Sequence, residues 1–312
     1  MNQNIYFLYI FYEIELLMQF THIILLIISI IVIIYIIKKL KKYKSVYLSD
    51  GADGVLYYFL NKNFKNTGFN NFIDKKKYIL GKKISIYAKE KILFGPYAGT
   101  KFSNLHGWSK VDSSAKYLGT YESQVQQKLI FLSQKFKLKN IVDLGAAEGY
   151  HIVSLINKKY FVKGFAFEIS KKSKSILYRN IVLNKLEKKI KIFSEANFES
   201  LKQNLHVEKL NKTCFLVDIE GNEYNLFTND FCKYFSKCFF LVEDHSFNIK
   251  NKKIQNRFIK NIKNNFKVHF LLDQGKNPFS FKKLDNFSDD EKYLMVSEGR
   301  PETMRWIILS PK

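Results

Sequence analysis

The stretch Ile141-Val-Asp-Leu-Gly-Ala-Ala-Glu-Gly-Tyr150 decides the fold of this chain. It predicts a buried strand ending at Asp143, a turn from Gly145 to Gly149, and then a helix. Glycine lets such a turn approach a ligand closely because it has no side chain. The spacing is D-x-G-x-x-x-G, not the dinucleotide pattern G-x-G-x-x-G, and the nearby Asp143 and Glu148 disfavour an anionic pyrophosphate. The stretch predicts a site for a cationic, amine-bearing ligand, or else a plain strand–turn–helix.

The same rhythm of strand and helix continues towards the C-terminus. Strands are predicted at Ile141–Leu144, Tyr160–Phe167, Ile190–Ser194, Thr213–Ile219, Cys238–Val242 and Lys267–Leu272. Helices are predicted at Tyr150–Lys158, Lys171–Leu186, Phe198–His206, Glu223–Tyr234 and Lys252–Lys263. This alternation predicts an α/β fold with a mainly parallel sheet covered on both faces. A last strand, Trp306–Ser310, is expected to return antiparallel beside Lys267–Leu272.

Acidic residues follow several of these predicted strands. Glu168 ends the second strand, at the position where a carboxylate can hold the ribose hydroxyls of an adenosine group. The fourth strand leads into Asp218, Glu220 and Glu223, and the fifth into Glu243, Asp244 and His245. Because the carboxyl ends of parallel strands share one edge of the sheet, we expect the following side chains to face one crevice: Asp143, Glu168, Asp218, Glu243 and His245.

The composition narrows the classes of partner. Of 312 residues, 51 are Lys or Arg and 28 are Asp or Glu, a net charge of +23. Only four of the basic residues are arginine, the better side chain for bidentate phosphate and guanine contacts. We therefore take a nucleic-acid partner as unlikely. The three cysteines have no spacing typical of a disulfide framework or a zinc site and are expected to be reduced thiols.

The N-terminal region predicts a membrane anchor. Residues 16–37 carry no formal charge, and 22 helical residues reach roughly 33 Å, enough for a hydrocarbon core of about 30 Å. Five lysines follow between residues 38 and 44, which by the positive-inside rule places the C-terminal side in the cytoplasm. The sequence thus predicts a single-pass membrane protein whose catalytic domain faces the cytoplasm.

The chain is divided accordingly into five parts. They are a tail (1–15), a transmembrane helix (16–37), a basic juxtamembrane linker (38–49), a small α+β extension that binds the acceptor (50–139) and the cofactor-binding domain (140–312). In the extension, the alternation over Lys83–Lys89, followed by Ile92–Phe94, predicts a small hairpin. Apolar residues at near-helical spacing predict a helix over Tyr121–Lys137.

Several motifs in order resemble the FkbM family of S-adenosylmethionine-dependent methyltransferases. They are GPYAGTKF (Gly95–Phe102), LGTYE (Leu118–Glu122), VDLGAAEGY (Val142–Tyr150), AFE (Ala166–Glu168), RNIVLN (Arg179–Asn184), VDIEGNEYNL (Val217–Leu226) and LVEDH (Leu241–His245). The resemblance covers about residues 95–272. It departs from the family after His245, where Ser-Phe replaces a proline, and in the N-terminal apolar run.

The resemblance implies a Rossmann-like class I methyltransferase fold and transfer of a methyl group to a hydroxyl of a sugar or another small polar acceptor. The residues it implies for cofactor binding are Tyr121, Glu122, Asp143, Gly145, Ala146, Gly149, Glu168, Glu195, Ala196 and Asp218. The attacking hydroxyl must lose its proton, and Asp218 and His245 are the candidate bases. Alternatively Asp218 and Glu243, with Glu220, hold Mg²⁺ or Mn²⁺ and lower the pKa of the hydroxyl.

Other functions remain open at this point. The acceptor is a ribose of RNA in one alternative, and in another the chain is a membrane-tethered nucleoside-binding module without catalysis. A nicotinamide dehydrogenase is disfavoured by the two-glycine turn. The expected membrane anchor makes a membrane-linked glycan precursor the acceptor that requires the fewest assumptions.

Overall fold

The computed structural model describes most of the chain from residue 72 onward and one helix before it. The described residues are 17–18, 20–21, 24–41, 72–103, 105, 107, 109–205, 207–300 and 303–312, with the side chains of 207–209 excluded. The chain divides into two units, Met1–Phe72 and Ile73–Lys312. The predicted tail (1–15) and the residues from 42 to 71 lie outside the described residues. The predicted boundary between extension and cofactor-binding domain stays a prediction.

A seven-stranded sheet forms the centre of the second unit. Its strands are β1 Asn140–Leu144, β2 Lys163–Phe167, β3 Ile190–Phe193, β4 Thr213–Val217, β5 Phe239–Glu243, β6 Phe266–Leu272 and β7 Arg305–Pro311. They lie in the order β3-β2-β1-β4-β5-β7-β6. The first five are parallel, and β7 runs antiparallel to both of its neighbours. The predicted strands and the antiparallel return are confirmed, and the mostly parallel sheet fits a Rossmann-like methyltransferase fold.

Helices cover both faces of this sheet. They are α2 Phe72–Ala88, α3 Ser113–Leu118, α4 Ser123–Phe136, α5 Tyr150–Asn157, α6 Lys171–Leu183, α7 Phe198–Asn204, α8 Glu223–Leu226, α9 Asn229–Tyr234, α10 Lys252–Asn265 and α11 Asp289–Val296, while α1 in the first unit covers residues 24–41. The single helix predicted over 223–234 is two helices. The chain breaks there because the Thr228 hydroxyl accepts a hydrogen bond from the Phe231 amide and caps α9.

The strands β1, β4 and β5 are buried along their whole length, which explains why they are apolar almost without alternation. In β1, Ile141 packs into one core and Val142 into the other. In β4, Leu216 packs into the same core as Ile141, and Phe215 packs into the same core as Val142. Successive side chains of a strand point to opposite faces, so a strand between two helix layers is apolar at every position.

The predicted hairpin over Lys83–Lys89 was wrong, because these residues belong mostly to α2. Leu80, Ile84 and Ala88 are buried and recur every four residues, so they share one face of a helix. Ile86, which the hairpin would have placed beside Ile84 and Ala88, is 78% exposed. Over a stretch this short, three apolar residues at alternate positions are compatible with a strand and also with a helix, so the pattern does not distinguish them.

The predicted transmembrane helix over 16–37 was also wrong. Among the residues that the structure describes, no helix combines the length and the apolar character needed to cross a membrane. The single-pass, cytoplasm-facing location derived from that helix is corrected with it.

Gly145 holds the ends of β1 and β4 together. Its φ angle is +86°, and a Cβ added there would lie 1.8 Å from the carbonyl oxygen of Asp218. The Asp218 amide donates a hydrogen bond of 2.9 Å to the Leu144 carbonyl at the same place. The glycine is required by the approach of two backbones, in addition to any contact with a ligand.

We predict that Gly145→Ala lowers the free energy of unfolding by roughly 2–4 kcal/mol, because left-handed strain and a backbone clash add together. Gly99→Ala is a matched control, since Gly99 has the same φ of +86° with nothing within 4 Å of an added Cβ. Backbone strain alone should lower the free energy of unfolding of this control variant by about 1 kcal/mol. Urea unfolding of both variants checks this. Equal losses for the two variants would contradict the role given to the β1–β4 approach.

Candidate active site

The carboxyl ends of the parallel strands surround one cavity of about 860 Å³. This size falls within the usual range for small-molecule sites, about 300–1,000 Å³. Nine of the ten residues predicted to bind the cofactor line it: Tyr121, Glu122, Asp143, Gly145, Ala146, Glu168, Glu195, Ala196 and Asp218. Gly149 does not line the cavity, and a Cβ there would meet Leu177 at 2.3 Å. The cofactor contacts themselves stay predictions.

The lining of this cavity is strongly acidic. Seven of its residues are acids, namely Glu122, Asp143, Glu148, Glu168, Glu195, Asp218 and Glu220. Lys116 is the one lysine in the lining, and its ammonium group pairs with Glu148 and Asp112. A cavity with this charge attracts a cationic ligand and repels an anionic one.

Asp143 lies at the base of the cavity and is 4% exposed. Burial raises the pKa of its carboxyl group to about 7, an effect that the charge of His151 opposes and those of Glu122 and Glu168 reinforce. The carboxyl group also accepts a hydrogen bond from the Ile152 amide, in the first turn of α5. Asp143 is therefore a buried acid that titrates near neutral pH.

Glu168 connects the turn after β1 to the start of α6. Its Oε2 accepts a hydrogen bond of 2.8 Å from the Ala147 amide, and its Oε1 accepts one of 2.7 Å from the Ser170 amide. A carboxylate has about four lone-pair sites, so both oxygens keep acceptor capacity on the cavity side. Glu168 is thus fixed in place and still able to accept two hydroxyl hydrogen bonds.

Glu122 is the centre of a buried ion-pair network. Its Oε2 lies 2.8 Å from His151 Nε2, and its Oε1 pairs with Arg300 Nη2. Burial alone would raise the pKa of Glu122, but His151 and Arg300 outweigh it and lower the pKa to about 2. Arg300 also pairs with Glu243 and with Glu298, so one guanidinium group compensates three carboxylates.

Sequence reasoning missed Arg300 and His151. Arg300 lies 178 residues from Glu122 and 57 from Glu243, and no local pattern predicts such pairs. One signal was present, because Arg300 is one of only four arginines among 51 basic residues. Arginine is the residue suited to buried ion pairs, so a rare arginine in a lysine-rich chain indicates a site of this kind.

The two candidate bases lie next to each other. His245 Nε2 is 3.7 Å from Asp218 Oδ1 and 3.7 Å from Glu220 Oε2. Burial and the neighbouring carboxylate of Glu243 raise the pKa of Asp218 well above its usual range. Burial would lower the pKa of His245, but the carboxylates around it, Glu223 first, outweigh this and raise it.

The turn that carries Asp218 and Glu220 is held by Glu223. The Glu223 Oε1 atom accepts a hydrogen bond of 2.7 Å from the Ile219 amide. Glu220 and Gly221 both adopt left-handed conformations, with φ of +57° and +95°. Asp218, Glu220 and His245 are therefore brought together, whereas Glu243, predicted as a metal ligand with Asp218 and Glu220, pairs through one oxygen with Arg300.

Comparison with known proteins gives structural neighbours only. No model of a protein family matches the chain, and no curated protein matches it. An O-methyltransferase from Bacillus cereus in complex with SAH superimposes with a TM-score of 0.40 and 12% identity over 82% of this chain and 98% of that one. The O-methyltransferase TomG from Streptomyces achromogenes, in complex with SAM, superimposes with a TM-score of 0.41 and 10% identity over 61% of this chain and 81% of that one. A putative tRNA (m1A22) methyltransferase from Streptococcus pneumoniae superimposes with a TM-score of 0.40 and 8% identity over 61% of this chain and 72% of that one. With TM-scores below 0.5, these neighbours add nothing to what the residues of the site indicate.

We predict that Asp143→Asn reduces the loss of stability between pH 5 and pH 8. The carboxyl pKa is about 7 in the folded chain and about 3.8 when unfolded, so its contribution to stability falls as pH rises through this window. Asparagine cannot ionise and removes that contribution. Urea unfolding at the two pH values measures the difference, with the exposed Asp285→Asn as control. A variant with the same pH dependence as the wild type would refute the assignment.

We also predict that Arg300→Met lowers the free energy of unfolding by about 3–5 kcal/mol at pH 7. It leaves the buried carboxylates of Glu122 and Glu243 without their shared partner. Arg257→Met, at an exposed position of α10, should change stability by less than about 0.5 kcal/mol. Similar effects of both substitutions in thermal or urea unfolding would rule out the central role of Arg300.

Proposed function

We propose that this chain is an S-adenosylmethionine-dependent O-methyltransferase that acts on a hydroxyl group of a sugar or another small polar acceptor. One observation supports this most strongly, the acidic cavity in which a ribose-binding carboxylate and a candidate base lie at the carboxyl ends of β2 and β4, the two parallel strands on either side of β1. Glu168 is the carboxylate, and Asp218, beside His245, is the base. The ordered motifs further support membership of the FkbM family.

The residues present fit this cofactor by their chemistry. S-adenosylmethionine supplies a methyl group on a positively charged sulfonium and also carries an ammonium group. Seven acids line the cavity, and its one lysine is already paired. Glu168 keeps two acceptor sites for a ribose diol. A dinucleotide, with its anionic pyrophosphate, would be repelled by the same lining.

The proposed catalysis depends on alignment and on removal of one proton. The acceptor oxygen forms its bond to the methyl carbon while the S–C bond breaks, so the reacting atoms must be in line. Asp218 takes the hydroxyl proton, and its raised pKa makes it a stronger base than an ordinary aspartate. His245 Nε2 lies 3.7 Å from Asp218 Oδ1, so the imidazole faces the carboxyl group that takes the proton.

The charge of the cavity also favours one class of acceptor. An acceptor that carries phosphate would be brought against Asp218 and Glu220, which face the cavity together. A neutral polyhydroxyl compound avoids this repulsion. This favours a sugar-like acceptor over a ribose within the RNA backbone.

We predict that the full chain binds S-adenosylmethionine with micromolar affinity and that Glu168→Gln weakens binding by about 10- to 100-fold. The loss reflects weaker hydrogen bonds to the ribose once the acceptor is no longer charged. Glu187→Gln, an exposed acid on the same domain, serves as control and should bind like the wild type. Calorimetric titration measures both, with NAD as the competing ligand. A folded chain that binds NAD, or that binds S-adenosylmethionine equally well without the Glu168 charge, would contradict the proposal.

A further inference from the structure

Three side chains at the carboxyl ends of β4 and β5 form a compact group. One ligand atom from each of Asp218, Glu220 and His245 lies within 4.8 Å of the others. Two further carboxylates flank the imidazole. Glu243 Oε2 is 3.5 Å from Nε2, and Glu223 Oε1 is 3.3 Å from Nδ1.

The carboxylate oxygens nearest to His245 Nε2 lie 3.5–3.7 Å away, beyond the distance of a good hydrogen bond. Its side chain is 4% exposed, and the other ring nitrogen, Nδ1, lies 3.3 Å from Glu223 Oε1. The Oδ1 atom of Asp218 is buried and unpaired. Buried polar groups are normally satisfied, so Asp218 Oδ1 and His245 Nε2, which face each other at 3.7 Å, indicate a missing ligand between them.

The distances in this group agree with a shared cation. Separations of 3.5–3.7 Å exceed those of a good hydrogen bond, about 2.7–3.2 Å. Two ligand atoms that each lie about 2.1 Å from one ion at a tetrahedral angle are about 3.4 Å apart. The group is therefore spaced as ligands are, with room for one ion between the atoms.

The pattern of neutralised charge selects three of these residues. Glu243 already pairs with Arg300, and Glu223 accepts a hydrogen bond from the Ile219 amide. Neither Asp218 nor Glu220 forms an ion pair with any lysine or arginine that the structure describes. The two carboxyl groups that lack a lysine or arginine partner are thus those of Asp218 and Glu220, which both face His245.

We propose that Asp218, Glu220 and His245 bind one divalent transition-metal ion. Imidazole is a ligand for ions such as Fe²⁺ and Zn²⁺, whereas Mg²⁺ prefers oxygen ligands alone. A bound ion supplies Lewis acidity that lowers the pKa of a hydroxyl group. Binding of the ion does not depend on the proposed methyl transfer, but this use of it rests on that function.

The test uses Mn²⁺ as the probe, with the full chain first freed of metal by dialysis against a chelator. Calorimetry and the loss of the electron paramagnetic resonance signal of free Mn²⁺ should both report one site per chain. Mg²⁺ should bind at least about tenfold more weakly, because it gains little from the imidazole. Binding of both ions with equal affinity would overturn the part assigned to His245.

Two variants assign the site to its residues. Glu220→Gln should weaken Mn²⁺ binding at least about tenfold, and Glu220 is 55% exposed, so this substitution leaves the fold intact. His245→Asn should abolish the preference for Mn²⁺ over Mg²⁺. Glu195→Gln removes another acid of the same cavity and should leave Mn²⁺ binding unchanged.

Unchanged Mn²⁺ affinity in Glu220→Gln, or an equal loss in Glu195→Gln, would overturn the proposed site. Titration of Glu220→Gln with S-adenosylmethionine, without added metal, separates this inference from the proposed function. Retained cofactor binding together with lost Mn²⁺ binding supports the metal site. Failure of Mn²⁺ binding in a wild-type chain that binds the cofactor overturns the metal site alone.

Discussion

Burial of carboxylates at one edge of the sheet is the physical constraint on which the site depends. An isolated carboxylate moved out of water is costly, so each acid must gain a partner, lose its charge or remain partly solvated. Glu122 gains His151 and Arg300, and Glu148 gains Lys116. The pKa of Asp143 rises to about 7, and that of Asp218 rises well above its usual range. The acids that keep uncompensated charge face the cavity, where a cationic ligand can compensate it.

Backbone geometry brings these groups together. The approach of the Gly145 turn to the Asp218 carbonyl joins the ends of β1 and β4, and the Asp218 amide bonds to Leu144. Glu168 ties the β1 turn to the start of α6 through the Ala147 and Ser170 amides. The antiparallel β7 pairs with β5 and carries the chain back from the loop of Arg300. Hydrogen bonds and close backbone contacts therefore hold the main chain around the cavity in place, and the acidic side chains project from it.

The strands and the cavity acids were predictable because their signals are local. Apolar runs such as Phe215–Val217 are followed at once by an acid, and parallel strands place all those ends on one edge. The partners of the acids were not predictable, since Arg300 and His151 approach them only in the folded chain. For the same reason the sequence did not show that Glu243 pairs with Arg300 or that His245 lies beside Asp218, Glu220 and Glu243.

Two N-terminal predictions failed because local pattern and length were ambiguous. Ile84 and Ala88 fit a strand by alternation, yet they lie four residues apart and share the buried face of α2. The apolar run after residue 16 has the composition of a span. Among the described residues, however, no helix is both long and apolar enough to cross a membrane.

The most direct measurement of the central claim is transfer of a labelled methyl group from S-adenosylmethionine to a panel of sugars and nucleosides, with chemical analysis of the product. The account predicts a methyl ether on a neutral polyhydroxyl acceptor, one S-adenosylhomocysteine per product, and a rate about 10²- to 10⁴-fold lower in Asp218→Asn. Label found on a ring nitrogen or carbon, or full activity in Asp218→Asn, would contradict it.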